Sequence, residues 1–534
     1  MIKKVIYIIL LFASVLFAFT IEEKLAKEQN FIYNAGAAPQ SLDPAKVEGV
    51  PEGVFARSLF ETLVISDEND KLIPGVALTW NHSDDYKTWT FNLRKDAKWS
   101  NGDNVTAKDF VFAWRRLVDP KTASPYASFL TYMKLLNASA ILNGQMSPEA
   151  LGVEAKDDYT LVLHLEDSVP FADLLTEFYV LSPVPQKLVE KLGDAWSEPK
   201  NIVGNGAFKL DSLVLNEEAK LSKNPYYWDV KKVLLDKLTL LQIQNSSVAY
   251  TRYRSGKLDV GEFPLELLDS VHKDYAQELN IGPVLCTYFY EFNVKNPPFD
   301  NIKVRQALSM ALDRNIITDK ILRQGQIPAF VFSPPAINAA EFISLPQWSK
   351  WDDNKRHKEA IKLLNEAGYN KDNPLNFTLL YNTNEDHKKL AIAASSIWKQ
   401  NLGSIINIKL QNQEWKTFLS TRHLGQHQMA RAGWCSDYDE ASSFLNTFLS
   451  DSSNNTSGFK NVQYDKAIKQ AYKAKTEEQR ARFYAQAEEI LDQEVPLIPV
   501  YFYTKSQLVK PYVKGFKIKP SQNYYFKDVY ILEH

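Results

Sequence analysis

The spacing of hydrophobic positions changes along this chain, and each change marks an element. The run "LNFTLLYN" (375–382) is apolar and β-prone, so it predicts a strand. In "EDHKKLAIAASSIWKQNLG" (385–403), Leu390, Ala393, Ala394 and Ile397 recur at helical spacing and Gly403 supplies the stop. "IINIKLQ" then alternates Ile406, Ile408 and Leu410 with polar residues, as a half-buried strand does. Strand, helix and strand within about 35 residues form a βαβ crossover, which requires a parallel pair. Helical spacing recurs at 303–325 and 477–494, "EASSFLNTFL" (440–449) also reads as helical, and "VLCTYFYEFN" (284–293) reads as a strand. There are no tandem repeats or low-complexity linkers, and the fold class is α/β. Open α/β sheets hold ligands beyond the carboxyl ends of their strands, which draws attention to 411–440.

The first residues follow another pattern. Lys3 and Lys4 precede an apolar run from Val5 to Thr20, shorter than the roughly 20 residues a spanning helix needs. This predicts a secretory signal peptide over 1–20, cleaved near Ala18 or Thr20, with an uncleaved anchor as the competing reading. No cysteine lies nearby, so no lipid attachment is expected there, and the mature chain should be free outside the cytoplasm.

Composition narrows the function. Lys and Arg total 62 against 64 Asp and Glu, a formal net charge of −2. Such a balance lacks the basic footprint of a partner for nucleic acid or an anionic membrane. At roughly 150 residues per domain, the length suggests about three domains. Aromatic residues make up 12% of the chain, enough to supply both a core and the walls of a ligand site.

There are two cysteines, Cys286 and Cys435. In an exported chain they suit one disulfide, with two buried free thiols as the alternative. A catalytic cysteine would want a partnered histidine, and none stands within a few residues of either. A bridge would tie 284–293 to "ARAGWCSDY" (430–438) and stiffen both.

Candidate chemistry is sparse. "HLGQH" spaces His423 and His427 like a helical zinc pair, but Leu424 replaces the catalytic glutamate and Gly425 weakens a helix. No metal is expected. Nucleophile-elbow, phosphate-loop and dinucleotide motifs are absent, so neither cofactor nor catalysis is implied. "SDYDE" lacks the rest of a calcium loop. Asp439 and Glu440 read as acids at a helix start. Asp437, beside Trp434 and Cys435, is not explained so simply.

Several stretches resemble one family. They include "SLDPAKVEGVPEGVFARSLFETL" (41–63), "KWSNGDNVTAKDFVFAWRRLVDPKTASPYAS" (98–128), "NIVGNGAFKL" (201–210) and "NPYYWD" (224–229). "RYRSGKLDV" (252–260), "PPFDNIKVRQALSMALDR" (297–314), "LYNTNEDHKKLAIAASSIWK" (380–399), "NQEWKTFLSTRH" (412–423) and "RAGWCSDYDEASSFLNT" (431–447) follow in register. All are similar to the extracytoplasmic peptide-binding proteins of ABC importers, the bacterial extracellular solute-binding proteins of family 5.

The resemblance implies a type II periplasmic-binding-protein fold, two lobes closing over the ligand plus an extra inserted domain. The first lobe would be discontinuous (21–60, 186–285 and 505–534), the extra domain would span 61–185, and the second lobe 286–504. It also implies the Cys286–Cys435 disulfide. The ligand would be a short peptide of roughly two to five residues, its backbone added to the protein as a strand. Partners would be the permease and ATPase subunits of an ABC importer in the periplasm, with the carrier itself a monomer.

The same resemblance assigns a peptide site. Asp437 would take the ammonium group, since a buried ammonium needs a charge partner. Backbone around Gly433 and Cys435, and around Glu48 and Val50, would pair with the peptide. Arg422, Arg431 and His387 would receive carboxylates at different reaches, with structural ion pairs as the competing reading for each. Tyr126, Trp415, Trp434 and Tyr503 would wall hydrated side-chain pockets, or serve as ordinary core. Leu322 departs from the pattern, standing where family members carry lysine, with Lys320 and Arg323 beside it. The competing functions are a carrier specialised for cell-wall (murein) tripeptide, a secreted peptidase, and a chaperone for exported proteins.

Overall fold

The computed structural model describes residues 24–474 and 476–534, so the expected signal segment lies outside the described residues. Ten strands lie side by side in the main sheet. They are β1 Asn30–Asn34, β2 Phe208–Val214, β3 Glu218–Lys223, β4 Lys237–Leu241, β5 Val260–Gly261, β6 Leu279–Phe292, β7 Leu375–Asn382, β8 Ile406–Gln413, β9 Met429–Cys435 and β10 Leu497–Val509. Their order is β8-β7-β9-β6-β10-β5-β1-β4-β3-β2, and a short strand, Ile327–Pro328, adds to β10.

The antiparallel pair β6 and β10 joins the two halves of this sheet. Their ladder is interrupted between Pro283 and Thr287. On one side Leu279–Pro283 pairs with Thr504–Leu508; on the other Thr287–Glu291 pairs with Leu497–Phe502. An irregularity of this kind bends a strand pair and weakens its ladder locally. The first half therefore has β5, β1, β4, β3 and β2 beyond the crossing, and the second has β9, β7 and β8. Each half contains parallel pairs, β1 with β4 and β5, and β7 with β8 and β9, as an α/β class requires.

The predicted crossover is present. β7 and β8 pair in parallel from Leu375↔Ile406 to Asn382↔Gln413. Between them helix Glu385–Leu402 buries Leu390, Ala394 and Ile397. Asn384 caps it by accepting from the backbone of Asp386 and His387, and Gly403 ends it at φ 64°. Helix Glu477–Glu494 matches its predicted limits, whereas 440–449 yields only Ser442–Leu445 and a 3-10 turn over Asn446–Phe448. The helix expected over 303–325 is interrupted, forming Ile302–Met310 and a π-helical turn Ile316–Leu322. Arg314 gives the reason: its buried guanidinium donates to the carbonyls of Ser309 and Leu312 (2.9 and 3.2 Å), taking acceptors that further helical turns would use.

A second, antiparallel sheet of four strands forms from Ala77–His82, Thr88–Leu93, Thr160–His164 and Val153–Asp157. It packs Phe91, Leu161 and Leu163 in one apolar core with Phe110, Trp114 and Leu117 of helix Ala107–Val118. The end of the chain returns to its beginning, where Gln29 Nε2 donates to Ile531 O (2.8 Å). No helix among the described residues is long and apolar enough to cross a membrane.

Candidate functional site

A cavity of about 450 Å³ lies between the halves of the sheet, against the crossing of β6 and β10. All twelve residues assigned to a site from the sequence line it. Its back wall is set by register. Cys286 and Cys435 face one another across β6 and β9 and are bonded, which decides between a disulfide and two thiols. Gln522 covers the bridge, its Nε2 2.8 and 3.2 Å from the two sulfurs.

The phase of the same ladder exposes backbone to the cavity. Ser436 N donates to Leu285 O (2.8 Å), so Trp434 and Ala432 turn their amides toward β6. Antiparallel pairing alternates, and Arg431, Gly433 and Cys435 therefore direct theirs the other way. On that side β9 meets β7 only at Met429 and Ala430. From Arg431 to Cys435 the strand has an edge without a strand partner. A side chain at 433 would crowd this edge, since a Cβ there would lie 3.2 Å from Tyr503 Oη and 3.3 Å from Arg431 Nη2.

Asp437 follows the edge and is buried. Its backbone N–H donates to Ser443 Oγ (2.7 Å), and its carboxylate accepts one long bond, from Tyr126 Oη at 3.4 Å. It forms no ion pair among the described residues. Burial pushes its pKa well above the ordinary carboxylate value, against the pull of the Arg57 guanidinium and the Tyr126 bond. The Asp437 end is thus a desolvated acid short of partners, poised for a cation.

Arg57 was not singled out from the sequence. It lies two turns after Val50 along helix Val50–Leu59, with its guanidinium 5.2 Å over the Tyr179 ring. Gly53 makes room, because a Cβ there would sit 2.6 Å from Arg57 Nη1. Helical spacing from Val50 was the signal that could have found it.

The three expected carboxylate receivers differ. Arg431 is buried, with Nη2 donating to Tyr503 Oη (2.7 Å) and Nη1 to Asn382 Oδ1 (3.3 Å), over the Tyr288 ring at 4.9 Å. No acid pairs with it among the described residues, and its Nε is buried without a hydrogen-bond partner. Arg422 already has an acid: its Nη2 is 3.2 Å from Glu291 Oε2 and 3.1 Å from Thr456 Oγ1. Although Glu291 is buried, Arg422, His427 and Thr456 together hold its pKa at about 2. His387 is kept well below the usual histidine pKa by burial and by Arg431, so it offers a neutral imidazole in place of the expected positive charge.

Two expected residues reach across the cavity. His423 Nε2 lies 2.6 Å from Glu48 Oε1, and Trp415 Nε1 donates to Glu52 Oε1 at 3.4 Å. His427 turns instead to Glu291 (3.3 Å), so the two histidines of "HLGQH" serve different acids. Trp434 anchors its indole on Ser443 O (2.8 Å), with its ring 6.3 Å from that of Tyr126. Leu322 lines the cavity, Lys320 is exposed, and Arg323 pairs outward with Asp269 (2.9 Å). The helix-start role expected of Asp439 and Glu440 needs correction. Asp439 accepts from the backbone and side chain of Asn338 (3.2 and 3.0 Å), while Glu440 is buried against Arg480 (2.9 Å) and Tyr484 Oη (2.8 Å). Tertiary partners had claimed both acids, and the helix that begins at Ser442 is only four residues long.

Comparison with known proteins places this geometry. Residues 71–456 match the model of the bacterial extracellular solute-binding proteins, family 5. The chain is 50% identical over 514 residues to the periplasmic oligopeptide-binding protein OppA of Haemophilus influenzae, covering 96% of this chain and 95% of that one. It superposes on the crystal structure of Haemophilus influenzae OppA in complex with RPPGFSPFR with a TM-score of 0.94, at 51% identity over 96% of this chain and 100% of that one. The Escherichia coli murein tripeptide-binding protein MppA, 41% identical, gives 0.93 over 96% and 100% of the two chains. An unliganded open form of MppA, with 96% and 99% covered, gives only 0.67. The halves of the present structure are thus not placed as in that open form, in keeping with the contacts that bridge its cavity.

Proposed function

Because the chain belongs to the bacterial extracellular solute-binding proteins, family 5, we propose that its cleft grips a short peptide by both ends, Asp437 taking the ammonium and Arg431 the carboxylate. The protein is the oligopeptide-binding component of an ABC importer, works in the periplasm, and is a carrier rather than an enzyme. The observation that carries the two-ended grip is a buried acid and a buried guanidinium, each without an ion pair among the described residues, flanking one unpaired strand edge. Every peptide with free termini has one ammonium, one carboxylate and a backbone between, so such a site reads what all of them share. Neither charge is stable alone in a dry cleft, and the ligand would supply both partners.

The edge sets a scale. From Arg431 to Cys435, four steps of an extended strand cover about 13 Å, the span of roughly three or four peptide residues. That supports a range of roughly two to five residues, with the backbone of Gly433 and Cys435 on one side and of Glu48 and Val50 on the other pairing as an added strand. Tyr126, Trp415, Trp434 and Tyr503 would line side-chain pockets, where bridging waters rearrange to suit different residues. His387 would contribute hydrogen bonds, and Arg422 would act through its pair with Glu291. The three-domain division drawn from the sequence, a cleaved leader over 1–20, the absence of a lipid anchor and a monomeric state complete the reading.

The test is calorimetric titration of the mature protein, stripped of bound peptide by partial unfolding and refolding. A free tripeptide should bind at least about a hundredfold more tightly than its N-acetylated twin, and Asp437→Asn should erase most of the difference. Equal binding of the two peptides to the wild type would overturn the two-ended grip.

A further inference from the structure

Among the described residues, four ion pairs connect the two sides of the cleft, and all have the same polarity. Glu48 meets His423 at 2.6 Å, Glu266 meets Lys389 at 2.5 Å, Asp269 meets Arg323 at 2.9 Å, and Asp167 meets Lys473 at 3.9 Å. The acid always belongs to the side built from the first half of the main sheet and the four-stranded sheet. The base always belongs to the side built on β7, β8 and β9. The apolar cores make this division for the middle pairs. Asp269 lies on helix Leu268–Asp274 and Glu266 just before it, packed around Leu241, Tyr253 and Leu258. Lys389 and Arg323 extend from elements packed around Tyr290, Phe377 and Trp398.

We propose that these pairs form an electrostatic latch, which biases the cleft toward closure whatever peptide it holds. Opening would separate an acidic rim from a basic one and break every pair at once. A carrier that must accept varied side chains gains little closing energy from any one of them, so a bias built into its rims keeps closure uniform. The middle pairs are exposed, with side-chain exposures of 59% and 38% for Glu266 and Lys389 and 74% and 48% for Asp269 and Arg323. They are therefore open to screening by salt, unlike the buried groups at the peptide termini. The latch rests on the peptide-carrier reading, but neither Glu266 nor Lys389 lines the cavity.

The test compares affinity for trialanine in wild type, Glu266→Lys, Lys389→Glu and the double swap, at about 20 mM and about 500 mM salt. Each single reversal should weaken binding by about threefold or more at low salt, the double swap should restore it, and high salt should shrink the differences. Single reversals that bind as the wild type, or a double swap no better than the weaker single, would overturn the latch. If a variant does not fold, the wild type alone decides: affinity unchanged between the two salts also overturns it. Failure of the peptide-carrier reading shows separately, as equal binding of free and N-acetylated trialanine.

Discussion

Tyr126 Oη donates to Asp437 Oδ1 at 3.4 Å across 311 positions of sequence, and among the described residues this is the only side-chain hydrogen bond that reaches the Asp437 carboxylate. Burial and the neighbouring acid push the Tyr126 pKa well above its ordinary value, so the hydroxyl stays protonated and able to donate. The bond orients the carboxyl group without supplying a countercharge, and leaves room for a cation.

Tyr126→Phe should therefore weaken binding of free tripeptides by about threefold to tenfold, as loss of one long bond to a charged group. The preference for free over acetylated peptide should survive, because Asp437 remains. A loss as large as that of Asp437→Asn, measured by calorimetry, would show that the tyrosine does more than orient.

Arg431 makes a complementary prediction. Amidating the tripeptide should cost the wild type about thirtyfold or more, since a buried guanidinium is left without its partner. Arg431→Met should bind free and amidated tripeptides nearly alike. Titration of both peptides against both proteins checks this, and a persistent preference for the free acid would move the carboxylate elsewhere.

Stability should fall as pH rises through neutrality. Burial raises Glu52 to about 8, and Glu61, Glu440 and Glu488 to about 7, against an ordinary glutamate value of 4.5. Between those limits the native state holds protons that the unfolded chain has released. Its stability is therefore complete below about pH 4.5 and declines until the native groups have titrated. Glu52→Gln should flatten part of that decline and raise Tm above the wild type near pH 8. Glu291 works in the opposite sense: held at about 2, it adds stability above 4.5 that is lost as pH falls toward 2. Tm against pH, on peptide-free protein, resolves both.

The disulfide closes a separation of 149 residues. Opening a loop of that length should cost up to about 5 kcal/mol in the chain-entropy account. The double variant Cys286→Ala/Cys435→Ala should show a clearly lower denaturant midpoint. Its peptide affinity should fall too, because β9 loses the clamp that holds its free edge straight.

How far the chain could be read depended on the range of the forces involved. The crossover at 375–413 was legible because period, cap and stop all lie within it: Leu390, Ala394 and Ile397 on one face, Asn384 before, Gly403 after. The limits of 477–494 were legible for the same reason. The interruption near 311–315 was not, because it depends on where the Arg314 guanidinium is buried. Asp439 and Glu440 were misread for a similar reason, since Asn338, Arg480 and Tyr484 are distant in sequence.

The site divides in the same way. Local motifs and family resemblance named residues that do line one cavity, including Asp437 and Arg431, and they named the cysteine pair. Sequence determined which residue types were present and which elements would carry them. Only the tertiary structure decided that Arg422 is already paired with Glu291 while Arg431 is not, that His387 is neutral, and that Arg57 lies beside Asp437. Charge state and free valence depend on the nearest partners and on the exclusion of water, and both are set by chain segments hundreds of residues apart.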